Sequence, residues 1–226
     1  MKSVLITFSG IDGAGKTTQI EKLRDYLAET GVPFHQLTFW DDVVLFRNLR
    51  SGFSRAVLQS DGAIGTPERP AQRRDKNTQA WPLLMGRSVL HLFDVLHLRR
   101  IVKRARAEAA GVIIFDRYIY DQLAALPMDR WLPRSYARLL LSIAPKPELS
   151  YLLDAVPEEA RARKPEYPLE FMHKYRNSYL ALRKMAGMQL IPAADPDDVH
   201  LAILDRLNQS FLTVSPPAQV NSAVTA

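Results

Sequence analysis

The sequence contains no cysteine, few glycines (10 in 226 residues) and only five histidines. Without cysteine the chain can form neither disulfides nor thiolate metal sites, and it has no cysteine nucleophile. The histidines show no spacing typical of metal ligands. No stretch approaches the ~18 consecutive apolar residues that a membrane-spanning helix requires. These absences favour a cytoplasmic protein with no membrane partner.

The remaining composition is that of an ordinary globular α/β protein. Hydrophobic residues make up 47% and charged residues 24% of the chain, enough for one domain with a sizeable core. The net charge of +6 suits either nucleic acid or small polyanionic substrates. The basic run of residues 99–106 is typical of a solvated helix face, so nucleic acid is the less favoured partner.

The most informative segment is Gly10–Thr17, a full match to the phosphate-binding pattern G-x-x-x-x-G-K-[ST]. It follows a short apolar run and precedes a helical pattern, which is the context this loop requires. Lys16 would reach the β- and γ-phosphates of a nucleoside triphosphate, and the Thr17 hydroxyl would bind Mg²⁺. The predicted ATP-binding residues of the loop are Gly10, Gly13, Ala14, Gly15, Lys16, Thr17 and Thr18.

Strand-like and helix-like segments alternate along the chain. The apolar runs at 4–8, 34–39, 112–116, 149–154 and 189–192 predict strands, and helical patterns begin after the loop, at 82, at 133 and at 196. This order predicts a three-layer α/β fold, with a five-stranded, mostly parallel sheet and helices on both faces. We expect one domain over 1–212, an irregular basic segment at 51–80 and a disordered tail at 213–226.

Two further residues are candidates for the site because they end a predicted strand. Asp116 follows four apolar residues, so its carboxylate would lie at the ligand-binding edge of the sheet and bind Mg²⁺ together with Thr17. The alternative is a capping role in the next turn. Arg117 could bind a substrate phosphate through two parallel hydrogen bonds, and its alternative is a surface salt bridge.

Four segments together resemble the thymidylate kinase family of P-loop nucleoside monophosphate kinases. Residues 8–19 resemble its phosphate loop, 116–118 its Asp-Arg-Tyr motif, 157–166 the helix leading into its mobile lid, and 171–182 the helix after that lid. The resemblance extends over about residues 3–205. It implies transfer of the γ-phosphate of ATP to a nucleoside monophosphate, with Mg²⁺ as cofactor and a small lid at about 157–170.

The resemblance also implies roles for individual residues. Lys16, Arg117 and a lid arginine, Arg161, would surround the transferred group, while Arg163 would stack on adenine. Asp12 would lie near the acceptor, or alternatively stabilise the loop through a hydrogen bond. For Arg161 the alternative is a solvated helix face. A homodimer is one assembly that such a chain could adopt.

The chain departs from the family pattern where the acceptor would bind. Residues 39–43 replace the usual Arg-Glu-Pro-Gly-Gly, Val95 follows Asp94 where the family has a thymine-reading arginine, and residues 122–126 lack the tyrosine expected beneath the deoxyribose. We therefore expect weaker discrimination of thymine. Further candidates for this half are Trp40, Arg47, Arg50, Arg87, His91 and Tyr120.

Two other functions fit the phosphate loop. One is a P-loop kinase of another small acceptor, and the other is a nucleotide-binding regulator or ATPase. Arg117 and the lid arginines favour a kinase, because a regulator does not need to bind an acceptor phosphate.

Overall fold

The computed structural model describes residues 3–45, 81–108 and 111–214, with the backbone alone for 81–87 and 211–214. The strands are β1 (Val4–Ser9), β2 (Phe34–Thr38), β3 (Val112–Asp116), β4 (Leu149–Leu153) and β5 (Gln189–Ile191). The helices are α1 (Lys16–Glu29), α2 (Trp81–Glu108), α3 (Ile119–Leu123), α4 (Trp131–Ile143), α5 (Pro157–Arg163), α6 (Leu169–Ala186) and α7 (Pro196–Val214).

The described strands form one sheet in the order β2-β3-β1-β4-β5, and every neighbouring pair is parallel. This confirms the predicted α/β sheet, which is wholly parallel over these strands. Phe8 of β1 lies opposite Asp116 of β3, and Ser9 lies opposite Leu152 of β4. The carboxyl ends of the three central strands therefore meet at one edge, where α/β sheets bind ligands.

Side chains of the central strands alternate between two apolar clusters, one on each face of the sheet. In β1, Leu5 belongs to one cluster, and Val4 and Ile6 belong to the other. In β3, Ile113 and Ile114 divide in the same way. Helices α2, α4 and α6 cover the first face, and α1 and α7 cover the second. Burial on both faces explains why these strands are continuous apolar runs in the sequence.

Several element boundaries differ from the predictions by one or two residues, and two of these differences have a clear physical reason. Strand β2 ends at Thr38, because the backbone N–H of Thr38 donates to the Asp42 carboxylate at 2.6 Å and residues 39–43 turn into a π-helical segment. Helix α4 begins at Trp131, two residues before Pro133. Proline is tolerated there because the first turn of a helix needs no backbone donors.

Two predicted segments lie outside the described residues. These are the irregular basic segment at 51–80 and most of the tail, although α7 itself extends to Val214. Within the described ranges, no helix is both long and apolar enough to cross a membrane.

Candidate active site

The phosphate loop connects β1 to α1, and its glycines allow two close backbone contacts. Gly10 (φ 145°) and Gly13 (φ 84°) both have positive φ. A Cβ on Gly10 would clash with the carbonyl oxygen of Leu153, and a Cβ on Gly13 would clash with that of Ala160. The loop thus packs against the end of β4 and against α5, which side chains at these positions would prevent.

Lys16 begins α1 and is folded back over the loop. Its Nζ donates to the carbonyl oxygens of Gly10 and Ile11, each at 2.9 Å, and the residue is buried. Burial, together with the positive charge of Arg117, lowers the pKa of Lys16 to about 8, although nearby carboxylates oppose the shift. The side chain is therefore a buried ammonium group at the centre of the loop.

Arg117 follows β3 with an unusual backbone conformation. Its φ of 67° lies in the left-handed region, and its backbone N–H donates to the carbonyl of Phe8 at 3.0 Å. The guanidinium forms an ion pair with Asp12 through Nη2 and another with Asp121 through Nη1 at 2.8 Å. Its side chain is only 15% exposed, so the salt bridges that it forms are largely buried and do not lie at the surface.

The pKa of Arg117 reflects both its burial and its two carboxylate partners. Burial alone would lower the pKa of Arg117, but the carboxylates of Asp121 and Asp12 outweigh it and raise the pKa above its ordinary value. The ion pair of Asp12 with Arg117 joins the phosphate loop to the residue after β3, a contact that the sequence did not predict for either residue.

Asp121 is a site residue that the sequence analysis missed. Its carboxylate accepts hydrogen bonds from the hydroxyls of Ser9 and Tyr179, both at 2.7 Å, and from the backbone N–H of Tyr118 at 3.3 Å. The hydroxyl of Tyr175 donates to its carbonyl oxygen at 2.7 Å. The aromatic residues of α6 recur every four residues, so their rings lie on one side of the helix. This spacing was the signal in the sequence that the tyrosine hydroxyls could share a partner such as Asp121.

Asp116 lies at the end of β3, as predicted. Among the described residues no group donates a hydrogen bond to its half-buried carboxylate, and burial raises its pKa despite the neighbouring charges of Arg117 and Lys16. Thr17 is exposed on the first turn of α1. In the described part of the chain, no three carboxylate or histidine side chains cluster into a metal site.

A cavity of about 400 Å³ lies beside the phosphate loop. Ala14, Gly15 and Thr18 line one side of it, and Arg163 of α5 lines another. The Nε of Arg161 is buried and has no hydrogen-bond partner among the described residues. The structure thus brings Arg163 to the loop, and it leaves Arg161 on the same short helix with an unpaired donor.

Three of the other acceptor-side candidates lie in the described residues, where they pack against neighbouring side chains or are buried. The hydroxyl of Tyr120 is 3.2 Å from Ser150 Oγ, and Trp40 packs edge-on against Phe39 with ring centroids 5.7 Å apart. His91 is buried in α2. Arg47 and Arg50 lie outside the described residues, as does the side chain of Arg87.

The two residues of α2 at the thymine-reading position are also buried. Val95 belongs to the apolar core. Asp94 accepts hydrogen bonds from the backbone N–H of Leu45 at 2.9 Å and from Gln122 Nε2 at 2.7 Å. The Oε1 atom of Gln122 is buried and has no partner among the described residues. The side-chain oxygens of this region are therefore the carboxylate of Asp94 and the amide oxygen of Gln122, both hydrogen-bond acceptors. Residue 95 is a valine, so it offers no cation to a thymine carbonyl.

Comparisons with known proteins identify the family. The chain is 32% identical to the thymidylate kinase of Chlorobium luteolum over an alignment 236 positions long. The alignment covers 92% of this chain and 98% of that protein. The chain belongs to the thymidylate kinase family. A second member, the probable thymidylate kinase of Pyrococcus abyssi, is 27% identical and is matched over 94% of this chain and 99% of its own length. No protein-family model matches the chain.

The family fold is also found among solved structures. A crystal structure of thymidylate kinase from Ehrlichia chaffeensis superposes with a TM-score of 0.57, at 20% identity, over 92% of this chain and 99% of that one. At this identity the superposition supports the fold, which agrees with the parallel sheet described above.

Proposed function

We propose that this chain transfers the γ-phosphate of ATP to the 5′-phosphate of dTMP. The observation that carries the proposal is the cluster of Lys16, Asp12 and Arg117, in which the Asp12–Arg117 ion pair joins a complete phosphate loop to the residue that follows β3. Its occurrence in a member of the thymidylate kinase family favours a kinase over a regulator or an ATPase.

For the donor nucleotide, the phosphate loop and the adjoining cavity supply complementary surfaces. The backbone N–H groups of the loop and the start of α1 suit the phosphates. The cavity beside Ala14, Gly15 and Thr18 has a volume suited to the nucleoside, with Arg163 available to lie against the adenine ring. Lys16 is positioned to move from the carbonyls of Gly10 and Ile11 onto a phosphate oxygen.

The residues present fit a magnesium ion. Asp116 has a half-buried carboxylate without a donor among the described residues, and Thr17 has an exposed hydroxyl on α1. Hard oxygen ligands of this kind, completed by phosphate oxygens and water, are those that Mg²⁺ prefers. The ion would neutralise charge on the phosphates.

On the acceptor side, Arg117 would bind the 5′-phosphate of the nucleotide. A phosphate oxygen would replace Asp12 at the Nη2 edge of the guanidinium, while Asp121 keeps the other edge. The acceptor oxygen then attacks the γ-phosphorus, the bond from that phosphorus to the β–γ bridging oxygen breaks, and ADP leaves. Arg161 would supply positive charge from α5 during the transfer.

The test is a transfer assay with identified products. We expect ATP, Mg²⁺ and dTMP to give equal amounts of ADP and dTDP. Thymidine should give no dTDP, because it lacks both the phosphate that Arg117 binds and the phosphate oxygen that attacks the γ-phosphorus. Release of ADP and inorganic phosphate without any phosphorylated nucleotide product would contradict the proposal.

Three further properties that we propose are predictions from the sequence. They are a single kinase domain over 1–212 with a lid at about 157–170, a cytoplasmic location and a homodimeric assembly. A sedimentation measurement at several concentrations would test the last of these.

A further inference from the structure

We propose that Asp121 is a positioning residue that fixes the guanidinium of Arg117 and thereby directs one of its edges at the acceptor phosphate. The inference rests on the transfer reaction proposed above. It goes beyond that reaction because Asp121 lies outside every motif that identified the site.

The first step is that the Asp121 carboxylate is itself held in place. Oδ1 accepts from Tyr179 at 2.7 Å as well as from Arg117 at 2.8 Å, and Oδ2 accepts from Ser9 at 2.7 Å and from the backbone N–H of Tyr118 at 3.3 Å. The residue is 1% exposed. Any rotation of this side chain would break several hydrogen bonds at once, so the carboxylate is a rigid acceptor.

The second step concerns the two edges of the guanidinium. With Nη1 anchored on Asp121, the direction of Nη2 is determined, and in the structure Nη2 meets Asp12 of the phosphate loop. An arriving phosphate can replace Asp12 without disturbing the anchor, since the two carboxylates bind different edges. The left-handed backbone of Arg117 is consistent with a residue whose placement is set by function.

The third step links the anchor to the helix after the proposed lid. Aromatic rings at 167, 171, 175 and 179 contact one another in sequence, with centroid distances of 5.0, 5.4 and 4.9 Å. The last two, Tyr175 and Tyr179, both donate to Asp121. Two hydroxyl groups of helix α6 thus hold Asp121, one at its carboxylate and one at its carbonyl oxygen.

The kinetic test compares three nearly isosteric variants. We expect Asp121→Asn to lower kcat/KM for dTMP by about 10- to 100-fold, because it removes a charge-assisted hydrogen bond, with the KM for ATP changed by less than about threefold. Tyr179→Phe should show a smaller loss of about three- to tenfold. Tyr151→Phe is the matched control, since it removes a buried hydroxyl that donates to the carbonyl of Ile203 on the other face of the sheet, and its kcat/KM should stay near wild type.

A double-mutant cycle separates positioning from a structural role. If Asp121 acts through Arg117, adding Asp121→Asn to Arg117→Ala should change kcat/KM by less than about twofold. Independent, multiplicative losses from the two substitutions would overturn the proposal. Should Asp121→Asn fail to fold, Tyr179→Phe takes its place in the cycle.

A measurement that needs no turnover keeps this proposal distinct from the kinase assignment. In ¹⁵N spectra of the guanidinium groups, Arg117 should show slow Cζ–Nε rotation and protected Nη protons in the wild type, and both should be lost in Asp121→Asn or, failing that variant, weakened in Tyr179→Phe. Unchanged Arg117 signals would overturn the positioning role. Altered signals in a protein that makes no dTDP would overturn the proposed function and leave the anchor standing.

Discussion

The two halves of the candidate site hold their cations in different ways, one through backbone carbonyls and the other through carboxylate side chains. On the donor side, Lys16 is held by backbone carbonyls of a loop whose glycines permit close packing against β4 and α5. On the acceptor side, Asp12, Arg117 and Asp121 hold one another through charged side chains. The hydrogen bonds of Lys16 therefore lie within one short segment, whereas the acceptor half depends on hydrogen bonds between distant ones.

This difference has an electrostatic side as well. The described cluster contains two cations, Lys16 and Arg117, and three carboxylates, those of Asp12, Asp116 and Asp121, all of which influence the pKa of Lys16 or Arg117. A phosphate that binds Arg117 must displace the Asp12 carboxylate, whereas one that binds Lys16 displaces backbone carbonyls. Substitutions in the two halves should consequently have separable effects on the two substrates.

The largest effect should come from the centre of the donor half. We expect Lys16→Ala to lower kcat by about 100- to 1,000-fold, because it removes a buried cation at the phosphates. Lys22→Ala is the control, as Lys22 lies on the same helix but pairs with Asp197 at the surface. Near-wild-type turnover of Lys16→Ala in a steady-state ADP-release assay would remove the donor half from the catalytic site.

On the acceptor side, base discrimination should be weak. Val95 lies in the core and no cation stands at this position, so the kcat/KM of dTMP should exceed that of dCMP by less than about 200-fold. The measurement is a set of progress curves with dTMP, dUMP, dCMP and UMP. A preference of 10,000-fold or more would mean that a residue outside those named here recognises thymine.

The glycine contacts of the donor half provide a comparison at equal backbone strain. Gly13→Ala and Gly31→Ala both place a side chain at positive φ, but only the first would clash, with the carbonyl of Ala160. We expect urea unfolding to show losses of about 1 kcal/mol for Gly31→Ala and about 1–3 kcal/mol for Gly13→Ala. Only Gly13→Ala should also raise the KM for ATP, and an equal KM in both variants would argue against the packing of α5 on the loop.

The smallest effect concerns pH. Because the pKa of Lys16 is lowered to about 8, its charge in the free protein is present at pH 7 and is lost as the pH rises through 8. The Kd of ATP in the absence of metal should then rise by about tenfold between pH 7 and pH 9. Lys16→Arg should give a flat profile, since a guanidinium stays charged. A flat profile for the wild type would contradict the shift.

What the sequence could predict follows the same division. The strands, the parallel sheet and the phosphate loop depend on local patterns, and the structure agrees with them. The partners of Asp121 could not be found in this way, because Ser9 and Tyr179 are 112 and 58 residues away along the chain. The ion pair of Arg117 with Asp12 escaped prediction for the same reason, although both residues were candidates.

Boundaries were predicted less well where side chains compete with the backbone. Asp42 takes the backbone N–H of Thr38, which ends β2 before Phe39, and nothing in the apolar pattern of 34–39 indicates that exchange. At α4 the prediction placed the first residue of the helix at Pro133, but the helix begins at Trp131. A proline indicates the first turn of a helix and does not identify its first residue.

The reach of the Asp121 contacts along the chain bears on when the protein becomes competent during its synthesis. The sequence of the phosphate loop is complete once β1 and α1 have been made, but the loop packs against β4 and α5, and the tyrosine that holds the Asp121 carboxylate belongs to α6. Contacts between distant segments form slowly and only after both segments exist. A growing chain on the ribosome therefore carries the whole phosphate-loop sequence long before Tyr179 can hold Asp121, so the alignment of Arg117 is among the late events of synthesis.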